Sequence, residues 1–491
     1  MITFLVCCAI LVGGYLTYGK IVEKIVGHND AVPTPALRLA DGVDYVKLPW
    51  WKVFLTQFLN IAGVGPIFGA ILGAMFGPVA FIWITFGGLF VGGVHDILAG
   101  YVSLKHDGKS ISELVGIYLG VHAKQIMRVF SIILLVLVGV VFTMAPAAWL
   151  DTQIPWGVGT WIAIIMAYYV IATIVPISTL IARIFPLLSI SMVAMCVMLL
   201  AALLWNSFTG NITMVEFTLD TIHPAALSPF PFLFVTIACG AVSGFHATKS
   251  PMMARCLGKE SETKKVFYGA MILESFIALV WAAAAMAILG NTHFWLAEAP
   301  ISVGALGGPG AVVAYLSDYL LGGWGIILVF IAVVIVPVTS GDTTFRSIRL
   351  IFSDIFKMDQ GKVKNRILLS IPIFTVAVSL TFIDFDIIWR YFAWSNQTLA
   401  TMALWTGAAF LIVNKKQHLI ASIPAGLLTF VVISYILQAP DEGLGLSALF
   451  SNSVGAVVAV FLFTMFLLKG KNIKAPTVIE LEKSALNKAP I

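Results

Sequence analysis

The stretch Asn60 to Gly77, NIAGVGPIFGAILGAMFG, lies within a long apolar segment. Yet it holds glycines at 63, 65, 69, 73 and 77 and a proline at 66. Each of these weakens or removes a helical hydrogen bond. The surrounding chain is a membrane protein: 60% of its 491 residues are hydrophobic and 11% charged, and its mean hydropathy is +0.99. In lipid, irregular backbone survives only where protein or a water-filled cavity surrounds it. The stretch therefore reads as a broken transmembrane helix lining a binding site.

An apolar run of about 20 residues crosses a bilayer core. On that measure the chain is an all-α polytopic membrane protein of about thirteen transmembrane helices. They fall at roughly 2–18, 51–76, 78–104, 126–150, 160–182, 186–206, 230–254, 265–290, 324–350, 367–383, 387–413, 418–437 and 446–468. Alternate loops carry the basic residues, among them Lys20, Lys105, Arg255, Arg349 and Lys415, with Arg183 alone between the fifth and sixth spans. The loops near 151–159, 207–229, 291–323 and 438–445 hold no Lys or Arg. Positive loops stay inside, so the N-terminus is expected outside and the C-terminus in the cytoplasm of a bacterial-type inner membrane. The net charge of +5 comes from these short loops and is no nucleic-acid signal. The five cysteines have no CxxC or Cys/His spacing, so no metal is expected. No dinucleotide or ATP motif appears, so no cofactor is expected. The N-terminal segment has no basic region ahead of Cys7 and reads as a helix that is retained. Segment 106–125 reads as a short interfacial helix, 291–323 as a long lid or cap, and the tail after Lys469 as polar and loose.

A second interrupted segment, CGAVSGFHATKSPM from Cys239 to Met252, lies five spans after the first. Five is odd, so a second five-helix unit would enter the membrane from the opposite face. Paired breaks in two inverted halves point to a transporter site near the midplane. The division expected is an extra helix and loop at 1–50, repeat A at 51–206 and repeat B at 229–413. Two more helices follow at 414–469, then a tail at 470–491.

Five runs carry a resemblance: NIAGVGPIFGAILGAMFG, FGGLFVGGVHDILAGYVSLKHDGKSISEL (86–114), GAVSGFHATKSPMMARC (240–256), TSGDTTFRSIRLIFSD (339–354) and WSNQTLATMALW (394–405). Together the chain resembles the carbon starvation protein A family over about residues 1–470. The resemblance implies a LeuT-type fold with a 5+5 inverted repeat. It also implies peptide uptake during starvation, or, in relatives, proton-coupled pyruvate uptake.

Each candidate residue has a functional and a plainer reading. Asn60, Gly63, Gly65 and Phe68 would form the unwound part of the first site, where a half-helix N-terminus attracts a substrate carboxylate. Gly69 to Gly77, four apart, read as a small-residue packing face. Lys249 is the one lysine placed within a span away from its first residues. It either meets a substrate carboxylate or coupling proton, or snorkels to the surface. Ser243, Gly244, Phe245 and His246 share its break, and His246 is site-lining or a bonded core histidine. His95 and Asp96 are a proton relay or a structural pair, with Glu274 a weaker candidate for the same role. Thr339 and Ser340 follow Pro337, and by the resemblance they match a cation site. Asp342 either joins them or pairs with Arg346 one turn on. Asn396 and Gln397 bind substrate or hold helices together, and Arg390 is expected to pair with Asp386.

These features point to an ion-coupled importer of small carboxylate-bearing nutrients, with peptide first and pyruvate second. Protons are favoured over sodium, and the lipid bilayer is its solvent. A membrane enzyme or a non-transporting nutrient sensor is the competing class. Histidines in the spans are few (His95, His246), and the tail carries no sensing domain.

Overall fold

A computed structural model of the chain describes residues 1–42, 44–174, 178–218, 223, 225–289, 309–358 and 362–487, with backbone alone at 173–174, 178–184 and 354. Long apolar runs with few interior charges give long helices, so the fold is all-α. Among the described residues the only β feature is an isolated bridge between Leu48 and Leu257. The helices, in chain order, are α1 (Ile2–Val26), α2a (Trp50–Ile61) and α2b (Gly65–Phe76). Then come α3 (Val79–Lys105), α4 (Ile111–Leu119), α5 (Val121–Gln153), α6 (Val158–Ile174) and α7 (Ser178–Phe208). A second broken helix follows as α8a (Pro229–Thr236) and α8b (Gly244–Ala254). Next are α9 (Glu260–Leu289), α10 (Pro309–Leu321), α11 (Gly323–Ser353) and α12 (Val363–Leu380). The chain ends with α13 (Phe385–Val413), α14 (Leu419–Gln438), α15 (Ala448–Lys469) and α16 (Val478–Asn487). Ten of the described helices are long and apolar enough to cross a membrane, or eleven with α2a and α2b as one span bent by 49°. The 17-residue α6 and the broken α8 are the other two segments expected to cross.

Two bodies emerge from the packing. In one, α2a, α2b, α3, α8b and α9 pack on one another; in the other, α5, α6, α11 and α12 do the same. The two touch directly along a thin seam, where α5 meets α8b and α11 meets α2a. Helices α7 and α13 flank this seam and contact both bodies.

Several expectations change. Helix α1 runs on to Val26, because the amphipathic YGKIVEKIV buries Val22 and Val26 while its lysines stay outside. Arg183 falls inside α7 rather than between two helices. The apolar face of α4 (Ile111, Leu114, Val115, Tyr118) is buried against α5 and α13, so protein covers it. The later part of the expected 291–323 loop is helix α10, which buries Val312, Val313 and Leu316; positions 291–308 lie outside the described residues. The tail is not loose: α16 docks through Glu482, which receives hydrogen bonds from Asn29 and Lys105. Arg390 pairs with Asp441 and Glu442, each at 3.1 Å, instead of with Asp386.

Candidate functional site

The two breaks cross. A Cβ at Gly65 would lie 2.5 Å from Cys239 Sγ, and one at Gly69 would lie 3.2 Å from the Thr236 carbonyl. Gly73 faces Ile237 in the same way. Pro66 starts α2b where its missing N–H costs nothing. The packing face covers Gly69 and Gly73, whereas Gly77, at φ +79°, ends the turn after α2b. Gly63 and Gly65 are close-contact points too, since a Cβ at Gly63 would lie 2.5 Å from Phe142. Asn60 is buried beside them.

The second break is held by side chains from α13. Asn396 Oδ1 accepts from Ser243 Oγ at 3.0 Å and from the Phe245 N–H at 2.8 Å. It thereby caps α8b, whose first N–H groups have no helical acceptor. Gln397 Nε2 donates to the Phe234 carbonyl, at 2.9 Å, which the end of α8a leaves free. Both amides bond backbone or break residues here, which favours their role as ties between helices. Gly244 lies so close to the Asn396 carbonyl and Ala400 N–H that no side chain would fit.

Two groups of ionisable residues flank α8b. In one, His246 Nδ1 is 2.9 Å from Asp96 Oδ2, and His95 Nδ1 is 2.7 Å from Asp96 Oδ1. On its other side His246 Nε2 is 3.1 Å from Glu274 Oε2, close enough for an ion pair but poorly aligned for a hydrogen bond. In the other group, Lys249 is 1% exposed, so it does not snorkel. Its Nζ donates to Thr343 Oγ1 at 3.0 Å and sits 4.9 Å from the centre of the Phe245 ring. Asp342, beside Thr343, lies within electrostatic reach of this lysine and 3.6 Å from Arg346. Ser340 Oγ is buried without a hydrogen-bond partner among the described residues, while Thr339 Oγ1 bonds the Val336 carbonyl. Thr343 was not singled out in the sequence, although it lies one turn beyond Thr339. Phe142 was also missed: it packs on Gly63 and edge-on to Phe245, touching both breaks from α5.

Phe68 lies apart from these groups. It lines a cavity of about 270 Å³ with Met144, Ala148, Pro309, Asp384 and Asp386 among its walls. This cavity opens at the end of the molecule where α5 finishes and α13 begins.

The family model described as carbon starvation protein CstA matches residues 1–160 and 145–319. The chain belongs to this family. An uncharacterized membrane protein of Haemophilus influenzae is 39% identical over 341 residues, which is 59% of this chain and 92% of that one. The peptide transporter CstA of Bacillus subtilis is 26% identical over 528 residues, 87% of this chain and 88% of its own length. Its Escherichia coli namesake is 28% identical over 375 residues, 63% of this chain. The matched region spans about half, 53%, of that longer relative. Among solved structures, a manganese transporter variant of Eremococcus coleocola aligns with a TM-score of 0.57 at 10% identity, covering 89% of this chain and 99% of its own. A nucleobase-cation-symport-1 family transporter aligns at 0.54 and 13% identity, covering 93% and 99%. At such identities the likeness is one of fold. Named relatives and neighbours of known fold are transporters, in keeping with a chain that is not an enzyme.

Proposed function

We propose that this CstA-family chain is a proton-coupled secondary importer of short peptides, used when carbon is scarce. It would sit in the inner membrane with thirteen crossings, N-terminus outside and C-terminus in the cytoplasm. The repeats 51–206 and 229–413 would make it a member of the LeuT-type superfamily. The observation that carries the reading is the contact from Lys249 to Thr343. It joins the two bodies across their thin seam, within the membrane interior and beside both breaks. Rocking of one body against the other is the usual route of alternating access, so a group on the seam senses that motion directly. A lysine amine can carry or release a proton, and a substrate carboxylate reaching the break would compete with Asp342 for it. Ser340, whose hydroxyl is unpartnered, supports sodium as the runner-up ion.

Peptide is favoured over pyruvate by the cavity above Phe68, which among the described residues is lined by Asp384 and Asp386 and by no Lys or Arg. Two carboxylates attract the ammonium end of a peptide and repel a bare anion. The test is uptake into liposomes of labelled alanylalanine or pyruvate, each under an imposed proton or sodium gradient. The expected result is proton-driven peptide accumulation that Lys249→Ala abolishes. No accumulation of either solute under any gradient would sink the transporter reading. Peptide accumulation by Lys249→Ala with normal proton dependence would remove this lysine from coupling.

A further inference from the structure

A histidine with a carboxylate at each ring nitrogen is a specific chemical statement. His246 stands between Asp96 on α3 and Glu274 on α9, at 2.9 and 3.1 Å, and His95 adds a 2.7 Å contact to Asp96. None of the four is more than 1% exposed. The Asp96 contact at one ring nitrogen and the Glu274 carboxyl 3.1 Å from the other both favour the imidazolium form. Were it to lose a proton, one ring lone pair would face a carboxylate lone pair in a fully buried site. The neighbouring helices α2a and α13 turn amides toward α8b, Gln57 on Ser250 and Asn396 on Ser243. The Cys239 thiol lies in the same break.

The placement of this group differs from that of Lys249. Asp96, His246 and Glu274 all belong to one body and move with it. Lys249, three residues after His246, reaches out of that body to Thr343. A proton exchanged inside one rigid body changes no contact at the seam, whereas one exchanged at Lys249 does.

We propose that Asp96, His246 and Glu274 form a permanent charge clamp that positions α8b, with His246 keeping its proton through the transport cycle, while the coupling proton is exchanged at Lys249. His95 and Asp96 are then positioning residues and not a relay. This rests on the transport reading above.

The test uses the purified full chain in liposomes, with labelled alanylalanine as probe and uptake followed against external pH. Removing His246 alone leaves two buried carboxylates without their cation, so His246→Gln should slow uptake by about tenfold or more. The pair His246→Gln with Glu274→Gln leaves one carboxylate, still bonded to His95, and should recover about threefold or more of that loss. In every variant that transports, the pH midpoint and the number of protons per peptide should match the unsubstituted protein. A merely structural defect would not give the recovery in the double variant, and a relay would not give the constant midpoint. A midpoint displaced by about one pH unit or more, or a lost proton dependence, overturns the clamp. If His246→Gln yields no folded protein, Glu274→Gln alone reads the midpoint. If the unsubstituted protein accumulates nothing, it is the transport reading that fails. Melting of the purified single and double variants then tests the clamp by itself, through the same recovery.

Discussion

The two broken helices meet at one place and are built from opposite materials. At the α2 break the neighbours are carbon and sulfur: Phe142 fills the space over Gly63 and Cys239 the space over Gly65. The stretch from Asn60 to Gly77 holds no ionisable side chain. At the α8 break the neighbours are polar: Asn396 and Gln397 satisfy freed backbone, and His246 and Lys249 bring charge. The first break is shaped by the absence of side chains and fixes where the helices cross. The second carries the chemistry. An inverted pair with matching shape therefore need not share its function evenly.

If the first break is steric, volume alone should destroy it. Gly65→Leu, with no room for even its Cβ beside Cys239, should leave little monodisperse protein after purification. Gly65→Ala is the graded version and should lower stability by about 1–3 kcal/mol. Adding Cys239→Gly removes the opposing atoms and should restore much of that loss. Equal melting temperatures for the single and double variants would show that the contact does not set the crossing. If the second break is polar, removing a hydrogen bond should matter more there than volume. Asn396→Ala leaves the Phe245 N–H and Ser243 hydroxyl without their acceptor and should lose about 2 kcal/mol. The Phe245 amide should then exchange with solvent hydrogen faster than in the unsubstituted protein. Gln397→Ala frees one carbonyl and should cost about 1 kcal/mol. Protection unchanged at Phe245 in the Asn396 variant would erase the contrast between the breaks.

Both breaks were legible because glycine and proline punctuate apolar runs regardless of what surrounds them. The ionisable residues were legible for a similar reason: Asp96, His246 and Lys249 stand out against apolar neighbours. Their partners were not. Asp96 and His246 lie 150 positions apart, and no local periodicity links them. Arg390 shows how local rules mislead. Spacing four along a helix pointed to Asp386, but the long guanidinium reaches Asp441 and Glu442 across the α14–α15 turn. The α10 helix was hidden by the glycines at 304–310, although Val312, Val313, Leu316 and Leu320 already had helical spacing. The α16 helix buries a single alanine, Ala485, so composition gave no reason for it to dock; its reason is charge.

That charge sets a third kind of junction, at the end of the molecule where α2a begins and α8b ends. Here the segment before α2a is joined to the segment after α8b by a hydrogen bond from the Leu48 N–H to the Cys256 carbonyl at 3.1 Å. Beside it, Lys105 Nζ lies 2.6 Å from Glu260 and 2.6 Å from Glu482, and Asn414 Oδ1 accepts the Val478 N–H at 2.7 Å. Partial burial pushes the Glu482 carboxyl up, but hydrogen bonds from Lys105 and Asn29 and the charges of Lys105 and Lys416 outweigh it. They hold the group below its ordinary value. A carboxylate with a lowered folded-state value stabilises above the ordinary range and loses that contribution as pH falls through the folded value. Docking of α16 should therefore be constant from neutral pH down to about 5 and weaken below about 4. Hydrogen exchange over Val478–Asn487 reads this directly. Glu482→Gln should speed exchange at neutral pH by only about threefold, since ion pairs near the surface are worth little, and should flatten the acid response. Exchange at neutral pH unchanged in Glu482→Gln would assign the docking to the Asn414 cap, a neutral backbone tie of the kind that holds the α8 break.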